Sequence, residues 1–428
     1  MKKLLTVLLA LLCLFTVAGC GGKTDSGNSE GGEKVKVTVW NYYTDHQLEY
    51  FEQVISEFNA SQDKYEVVYE GQTKDYLDNI AQATMAGAGP DFLIEYGSYA
   101  SQWHEDGLVV DLSKYLDQDT IGNLIDSAYD YATGFDDGGM YLYPIIGTGT
   151  ILWYVPEALE AAGVEVPETW DELFEASKII NEKVTVVTDD EGLHFVTDGS
   201  GSELIGWTSY MDETLRLVAE QAGGTYDIAS GKLTINNDKV IDWLKKFQEG
   251  CEAGYLSANF VNGYANTDQE AGIVAMGSSS VAGRPYYSVV NPGSTHEMQM
   301  DMSDPSSFAT CARSRGIIVM DNGDEERIKG VCEFIKFFSQ PEYNAKFCEI
   351  MNYYAVLKNT LANADYQAFE DANPDIPNVM ADYGSFYPSI PEANYIKSAL
   401  KSIMGNVAAG QDPKEAIEAA EAEFYANK

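Results

Sequence analysis

The chain has 428 residues, 45% of them apolar, and carries 67 acidic against 27 basic side chains for a formal net charge of −40. A surface this acidic excludes nucleic-acid binding, which needs clustered Lys and Arg; it keeps the molecule soluble without naming a ligand. The length exceeds one typical core and predicts two lobes.

Met1, Lys2 and Lys3 precede an apolar run from Leu4 to Phe15, about a dozen residues and the length of a signal h-region. That run is too short to span a bilayer, which takes ~20 residues. Val17 to Cys20 has the form of a bacterial lipobox, which predicts a signal peptide over 1–19 and acylation of Cys20, palmitate included. Cleavage there removes Lys2, Lys3 and no acid, taking the charge from −40 to −42. Residues 20–34, rich in Gly, Ser and Glu, read as a flexible tether. Two or more acyl chains on one Cys anchor stably, so the body is expected on the extracellular face of the cell membrane.

Val35 to Trp40 alternates as a strand, and His46 to Ala60 places Leu48, Phe51, Val54, Ile55 and Phe58 at helical spacing. Tyr65 to Tyr69 reads as a second strand, Asp75 to Ala86 as a helix, and Gly87 to Glu95 as a Gly/Pro turn into a buried strand. This alternation predicts a parallel sheet with crossover helices. Ligands of such sheets sit beyond the carboxyl ends of strands, which places Tyr42, Tyr43, Thr44, Gln72, Glu95 and Tyr96 near a site. Met140 to Val155 reads as two apolar strands parted by Gly147 to Gly149, with Pro144 at a strand end. Thr169 and Glu172 have capping-box spacing for a helix from Trp170 to Glu182. Val184 to Gly206 reads as polar and strand-poor, Trp207 to Gln221 as a helix, and Asn236 to Asp238 as the cap of the next. Arg315 to Met320 predicts a buried strand, Arg327 to Phe338 a helix, and Glu392 to Gly410 and Pro413 to Tyr425 the closing helices.

Tyr143-Pro144, a short polar stretch, Leu152 to Tyr154, and then Ala162 to Leu173 (AGVEVPETWDEL) are similar to the hinge-crossing segment of family 1 extracellular solute-binding proteins, the receptors of ABC importers. The Gly89 to Asp91 turn, Glu270 to Ser280 and Asn352 to Leu357 resemble family pieces in the expected order, although Ala355 stands where Pro is usual. The resemblance implies a two-lobed α/β periplasmic-binding-protein-like fold of type II with discontinuous lobes, 35–144 plus 297–365 and 145–296 plus 366–428. Crossings would fall near Ile145, residue 297 and residue 366, with the ligand between the lobes. It also implies a membrane-embedded ABC permease as partner, a monomer, no cofactor and no catalysis.

The 28 tyrosines and 6 tryptophans suit a carbohydrate, whose ring has one apolar side and a polar rim. Candidate contacts are Tyr42, Tyr43, Thr44, Glu95, Tyr96, Thr148, Trp207, Ser278, Ser279, Tyr353 and Tyr395, with Tyr42, Tyr43 and Trp207 leading; Trp40 reads as core. Ser278 to Arg284 has a different flavour, since hydroxyls and free N–H groups followed by Arg284 suit a phosphate. This resembles the serine-rich loop of glycerol-phosphate-type receptors and keeps glycerol 3-phosphate or a glycerophosphodiester as the alternative ligand. Arg313 and Arg315 read as solvated charges. Four scattered histidines give no metal spacing, and Cys251, Cys311, Cys332 and Cys348 form no C-x-x-C pair. No nucleophile elbow or phosphate loop appears, which leaves a secreted glycosidase as the enzymatic alternative, its carboxylate pair undefined by sequence. Cys20→Ala is expected to release the protein into the medium; retention in the membrane fraction after a high-salt wash would refute lipid anchoring.

Overall fold

The structure, a computed structural model, describes residues 33–135, 137–286, 291–292, 310–373, 384–386, 390 and 392–428. The expected signal segment, Cys20, most of the tether and the crossing near residue 297 lie outside these residues.

Strand β1 (Val35–Asn41) lies between β2 (Tyr65–Gly71) and β3 (Phe92–Tyr96), and all three are parallel. Helix α1 (Asp45–Ser61) connects β1 to β2 and buries Tyr50, Phe51, Val54, Ile55 and Phe58. Helix α2 (Gly97–Glu105) begins at once beyond β3. Strand β4 (Tyr143–Tyr154) then runs for 12 residues, and helix α3 (Trp170–Lys183) opens with the Thr169/Glu172 capping box. Strand β5 (Ile205–Ser209), helix α4 (Met211–Gln221), helix α5 (Asp238–Ala253), strand β6 (Leu256–Ser257), helix α6 (Ala265–Glu270) and strand β7 (Val274–Ser280) follow. The chain continues through strand β8 (Thr310–Val319), helices α7 (Glu325–Phe338) and α8 (Pro341–Met351), and closes with α9 (Ala393–Ala408) and α10 (Pro413–Asn427).

One sheet runs through the molecule in the order β6-β5-β7-β4-β8-β3-β1-β2. Side chains of a strand alternate between its faces, and in β3 Phe92 and Ile94 enter one core while Leu93 enters another. Strand β8 repeats the pattern, Ile317 and Val319 against Ile318. The first lobe is therefore an α/β sheet covered on both faces. A separate core takes Leu152 of β4 and Val155 just beyond it, Trp170, Trp207, Phe247 and the inward faces of α9 and α10. This is the second lobe.

Four elements differ from the sequence reading. Gly147 to Gly149 does not break β4, because Ser314, Arg313 and Ala312 of β8 pair with it residue by residue and carry the ladder through. Residues 184–206 are not strand-poor: Thr185–Asp189 and Gly192–Val196 form a hairpin with Ser202–Glu203 alongside. There the β-branched run Thr185 to Thr188 outweighs the polar composition. Trp207 lies in β5, and the helix begins at Met211. Tyr366, expected at a crossing, is 1% exposed in the first lobe's core, where its hydroxyl accepts from the Ala355 N–H at 2.8 Å. The chain thus remains in that lobe through Phe369.

Gly206 shows how closely α3 packs on β5, since a Cβ there would stand 2.3 Å from the Ser177 Cα. Gly206→Ala is expected to destabilise by roughly 1–3 kcal/mol, the range for overpacking. Gly122→Ala, where a Cβ meets nothing within 4 Å, should be close to neutral; equal melting temperatures for the two variants would refute the packing argument.

Candidate functional site: the cleft between the lobes

A cavity of about 200 Å³ opens where the two lobes face each other. The first lobe contributes Tyr96, Ser98 and Tyr99, at the carboxyl end of β3 and the start of α2, and Tyr131. Tyr131 fixes this wall: its hydroxyl accepts from the Gly97 N–H at 2.7 Å and donates to the Ser314 carbonyl at 3.2 Å. The second lobe contributes Asp212, Glu213 and Arg216 from α4 and Ala393, Asn394 and Lys397 from α9. Asp212 and Glu213 stand in the first turn of α4, where the helix dipole favours negative charge. Thr150 of β4 and Arg313 of β8 line the floor.

The cleft is polar, and its charges answer one another. Arg313 forms an ion pair with Glu213 and lies over the Tyr96 ring, 5.3 Å from its centroid. Burial works against the Arg313 charge, but Glu213 and Tyr96 more than offset it, and the pKa stays above the ordinary value. Arg315 lies over the same ring, 5.0 Å from the Tyr96 centroid, 3.6 Å from Glu95 and donating to the Tyr42 hydroxyl at 2.6 Å. Burial raises the Glu95 pKa, with Arg315 the principal opposing influence. Lys397 stands 3.8 Å from Asp212, whose pKa is raised by burial and then by Glu213. Arg216, 1% exposed, stands 3.8 Å from Glu220. Such a site can accept and donate hydrogen bonds to hydroxyls and offer aromatic faces; no group of three or more metal-ligating side chains occurs among the described residues.

The structure brings Tyr42, Glu95, Tyr96 and Tyr353 together around Arg315. Thr148 and Ser280 close the floor behind them with a 2.7 Å hydrogen bond between hydroxyls, and Ser279 is 9% exposed nearby on β7. Two leading candidates fall in cores instead. Tyr43 is 4% exposed and packs edge-on against Phe51 and Phe347. Trp207 is fully buried beside Trp170, its Nε1 donating to Ser278 Oγ at 3.0 Å, so it offers no face to a ligand. An aromatic residue just past or within a strand end is placed by the pleat, and here the pleat turns both inward. Thr44 is an exposed N-cap of α1, Tyr395 is exposed on α9 beside Asn394 without lining the cavity, and the Arg284 side chain lies outside the described residues. Trp40 is half-buried rather than core, with Nε1 donating to Glu70 at 2.8 Å.

Sequence reasoning missed Tyr99, Tyr131, Asp212, Glu213, Arg216, Asn394 and Lys397, and took Arg313 and Arg315 for solvated charges. The Asp212-Glu213 pair, opening a helix directly after a strand, was the available signal.

Two lobes joined by shared strands, with a polar aromatic cleft between them, define a ligand-binding protein of the periplasmic-receptor fold. Residues 53–378 match the bacterial extracellular solute-binding protein family, and the chain belongs to it. It is 25% identical over 360 residues to the sn-glycerol-3-phosphate-binding periplasmic protein UgpB of Rhizobium meliloti, covering 78% of each chain. Among solved structures, the cyclic α-maltosyl-1,6-maltose binding protein of Arthrobacter globiformis is similar with a TM-score of 0.74 at 18% identity, covering 92% of this chain and 99% of that one. UgpB of Mycobacterium tuberculosis in complex with glycerophosphocholine gives 0.72 at 17%, covering 92% and 98%.

Removing Arg315 would leave Glu95, 1% exposed, without its charge partner. Arg315→Ala is expected to lose roughly 3–5 kcal/mol of stability at neutral pH, measured by urea unfolding. The raised Glu95 pKa fixes the sign of the pH dependence. The folded state then holds the proton more tightly, so part of the loss returns as pH falls toward the unfolded carboxyl value of about 4.3. A loss that grows on acidification would contradict this assignment.

Proposed function

We propose that the protein is a lipid-anchored, monomeric receptor that captures a neutral carbohydrate in the cleft and delivers it to the membrane-embedded permease of an ABC importer, catalysing no reaction. Charge balance carries the reading. Each described cation of the cleft stands beside an acid: Arg313 with Glu213, Arg315 with Glu95, Arg216 with Glu220, Lys397 with Asp212. Among the described residues no positive charge is left in excess there to hold a phosphate, whereas sugar hydroxyls need paired donors and acceptors and an aromatic face. Tyr96, Tyr99 and Tyr131 supply that face, and Asp212, Glu213 and Asn394 the polar rim.

In this reading the lobes keep the order 35–144 plus 297–365 and 145–296 plus 366–428, except that the chain stays in the first lobe through Phe369 before it crosses. Lobe closure is the working motion, absorbed by a few residues. Gly147 to Gly149 on β4 and Asn352, which adopts a φ of 52°, are the positions for it. Cys20 holds the molecule to the membrane; no helix among the described residues is long and apolar enough to cross one.

The second reading, a glycerol phosphate or glycerophosphodiester, follows from Arg313: a phosphate would take over this guanidinium from Glu213. Sequence similarity to a glycerol-3-phosphate-binding protein favours it. Calorimetry on Glu213→Gln separates the two. A neutral sugar should bind about 10- to 100-fold more weakly, the loss of one hydrogen bond to a charged group. A phosphate ligand should bind more tightly once the repelling carboxylate is gone, and weaken below pH ~6 as it takes its second proton. Tighter binding of glycerol 3-phosphate by this variant, with no saccharide stabilising the wild type, would overturn the carbohydrate reading.

A further inference from the structure

A second, far smaller cavity, of about 10 Å³, lies where the chain passes between the lobes. Ala275 and Met276 of β7 belong to the second lobe's core, and Ala282, just past that strand, packs against the first lobe's. Val281, 1% exposed, stands at this boundary and forms one wall of the cavity. The first lobe supplies the rest: Asn352 and Tyr354 beyond α8, and Tyr366 and Glu370 of the short helix Ala364–Asp371. Two ties hold this region together. Asn352 Nδ2 donates to the Val281 carbonyl at 2.6 Å, and the Gly147 and Tyr354 backbones exchange hydrogen bonds of 2.8 and 2.7 Å.

Glu370 is the odd member of this lining. Its Oε1 is buried and has no hydrogen-bond partner among the described residues. A cavity of about 10 Å³ is at the lower limit for a single water, so it cannot hydrate a carboxylate. Burial is the main influence raising the Glu370 pKa; the Tyr366 hydroxyl opposes it and Asp371 adds to it. The other titratable groups facing Glu370 are Tyr353 and Tyr354 across the cavity and the buried Cys348 of α8. Lys346 and Glu349 of α8 face the same short helix farther out. Tyr366 links the carboxylate to the ties, since its hydroxyl accepts from the Ala355 N–H at 2.8 Å, one residue past Tyr354.

A buried charge that is incompletely paired is costly, and water relieves it. Water reaches Oε1 when Val281 parts from Asn352, which is a movement of one lobe's end against the other. A proton on Glu370 removes that drive and turns an acceptor-only oxygen into a donor.

Resting on the lobe motion proposed above, and not on the identity of the ligand, we propose that Glu370 is a proton-sensitive control of the hinge. Its charged form favours the parting of Val281 from Asn352, and its neutral form holds the lobe arrangement of this structure. By linkage, the arrangement that binds the proton more tightly gains as pH falls. Burial of Glu370 makes that the arrangement described here.

Native-state hydrogen exchange tests this on the ligand-free protein, its Glu370→Gln variant and Asp371→Asn, an exposed charge on the same helix. Protection factors, which divide out the intrinsic pH dependence of exchange, are read at Gly147, Tyr354 and Ala355, with strand β1 as the reference in the same lobe. Between pH ~7.5 and ~5 the wild-type hinge amides should gain about tenfold in protection relative to β1, the factor for one pKa unit of difference between two arrangements. Glu370→Gln should show the acidic level of protection at both pH values, and Asp371→Asn should follow the wild type. A wild-type hinge that gains no more than β1 overturns the proposal. So does a Glu370→Gln variant that keeps the wild-type pH dependence, because another group then carries the proton. Small-angle scattering reads the lobes themselves: the wild-type radius of gyration should fall on acidification to that of Glu370→Gln. A radius indifferent to both pH and the substitution equally overturns the proposal. No ligand enters the test, so its failure leaves the carbohydrate reading intact.

Discussion

Eleven of the twelve residues of β4 are buried, and buried backbone N–H and C=O groups must be paired. That constraint shapes the whole molecule. Strand β4 meets it by changing partner midway: Gly149 still pairs with Ala312 of β8, and the next residue, Thr150, pairs with Ser280 of β7. The lobes therefore share a continuous ladder instead of hanging from loops. The Gly147–Tyr354 bridge adds a further tie three residues before that exchange point.

The same register builds the cleft. Arg315 pairs with Tyr96 across β3 and β8, and Arg313, two residues earlier, pairs with Thr148. Residues two apart share a face, so both guanidiniums lie over one tyrosine ring. Two like charges so close require acids, and the two lobes supply one each, Glu95 from the first and Glu213 from the second. The Arg313–Glu213 pair spans the cleft, with Arg313 31% exposed; partly exposed pairs are worth ~0–1 kcal/mol. It orients the lobes without locking them.

The sequence made the parallel start of the sheet, the capping box at Thr169 and the Asn237 cap legible, because local chemistry decides each of them. The rule that sites lie beyond strand ends singled out Tyr42, Glu95 and Tyr96; the structure puts Tyr96 on the cavity wall and gathers Tyr42 and Glu95 beside it around Arg315. It could not tell Tyr42 from Tyr43, because neighbours on an extended segment face opposite ways and only the tertiary packing of Phe347 decides which is buried. Trp207 misled for a related reason: composition marked it as a platform, and the packing of Trp170 and Phe247 made it core. The second-lobe wall was hidden because Asp212 of α4 and Asn394 of α9 are 182 positions apart in the chain (394 − 212), and no local pattern reports that proximity.

The chemistry of the Arg313–Glu213 pair bears on what can displace it. A hydroxyl both donates and accepts, so one sugar OH set between these groups accepts from the guanidinium and donates to the carboxylate, leaving neither unsatisfied. A phosphate satisfies the guanidinium alone and meets Glu213 and Asp212 as like charges in a partly dry cleft, where such repulsion is least screened. A ligand moves a conformational equilibrium only by its differential affinity for the two states. Tyr96 and Arg313 face Asp212 and Glu213 across one cavity, so under the proposed closing motion a ligand that bridges these groups is the one that favours the closed state. A polyhydroxylated ring, with hydroxyls around its rim and an apolar face for the tyrosines, meets that requirement on every side.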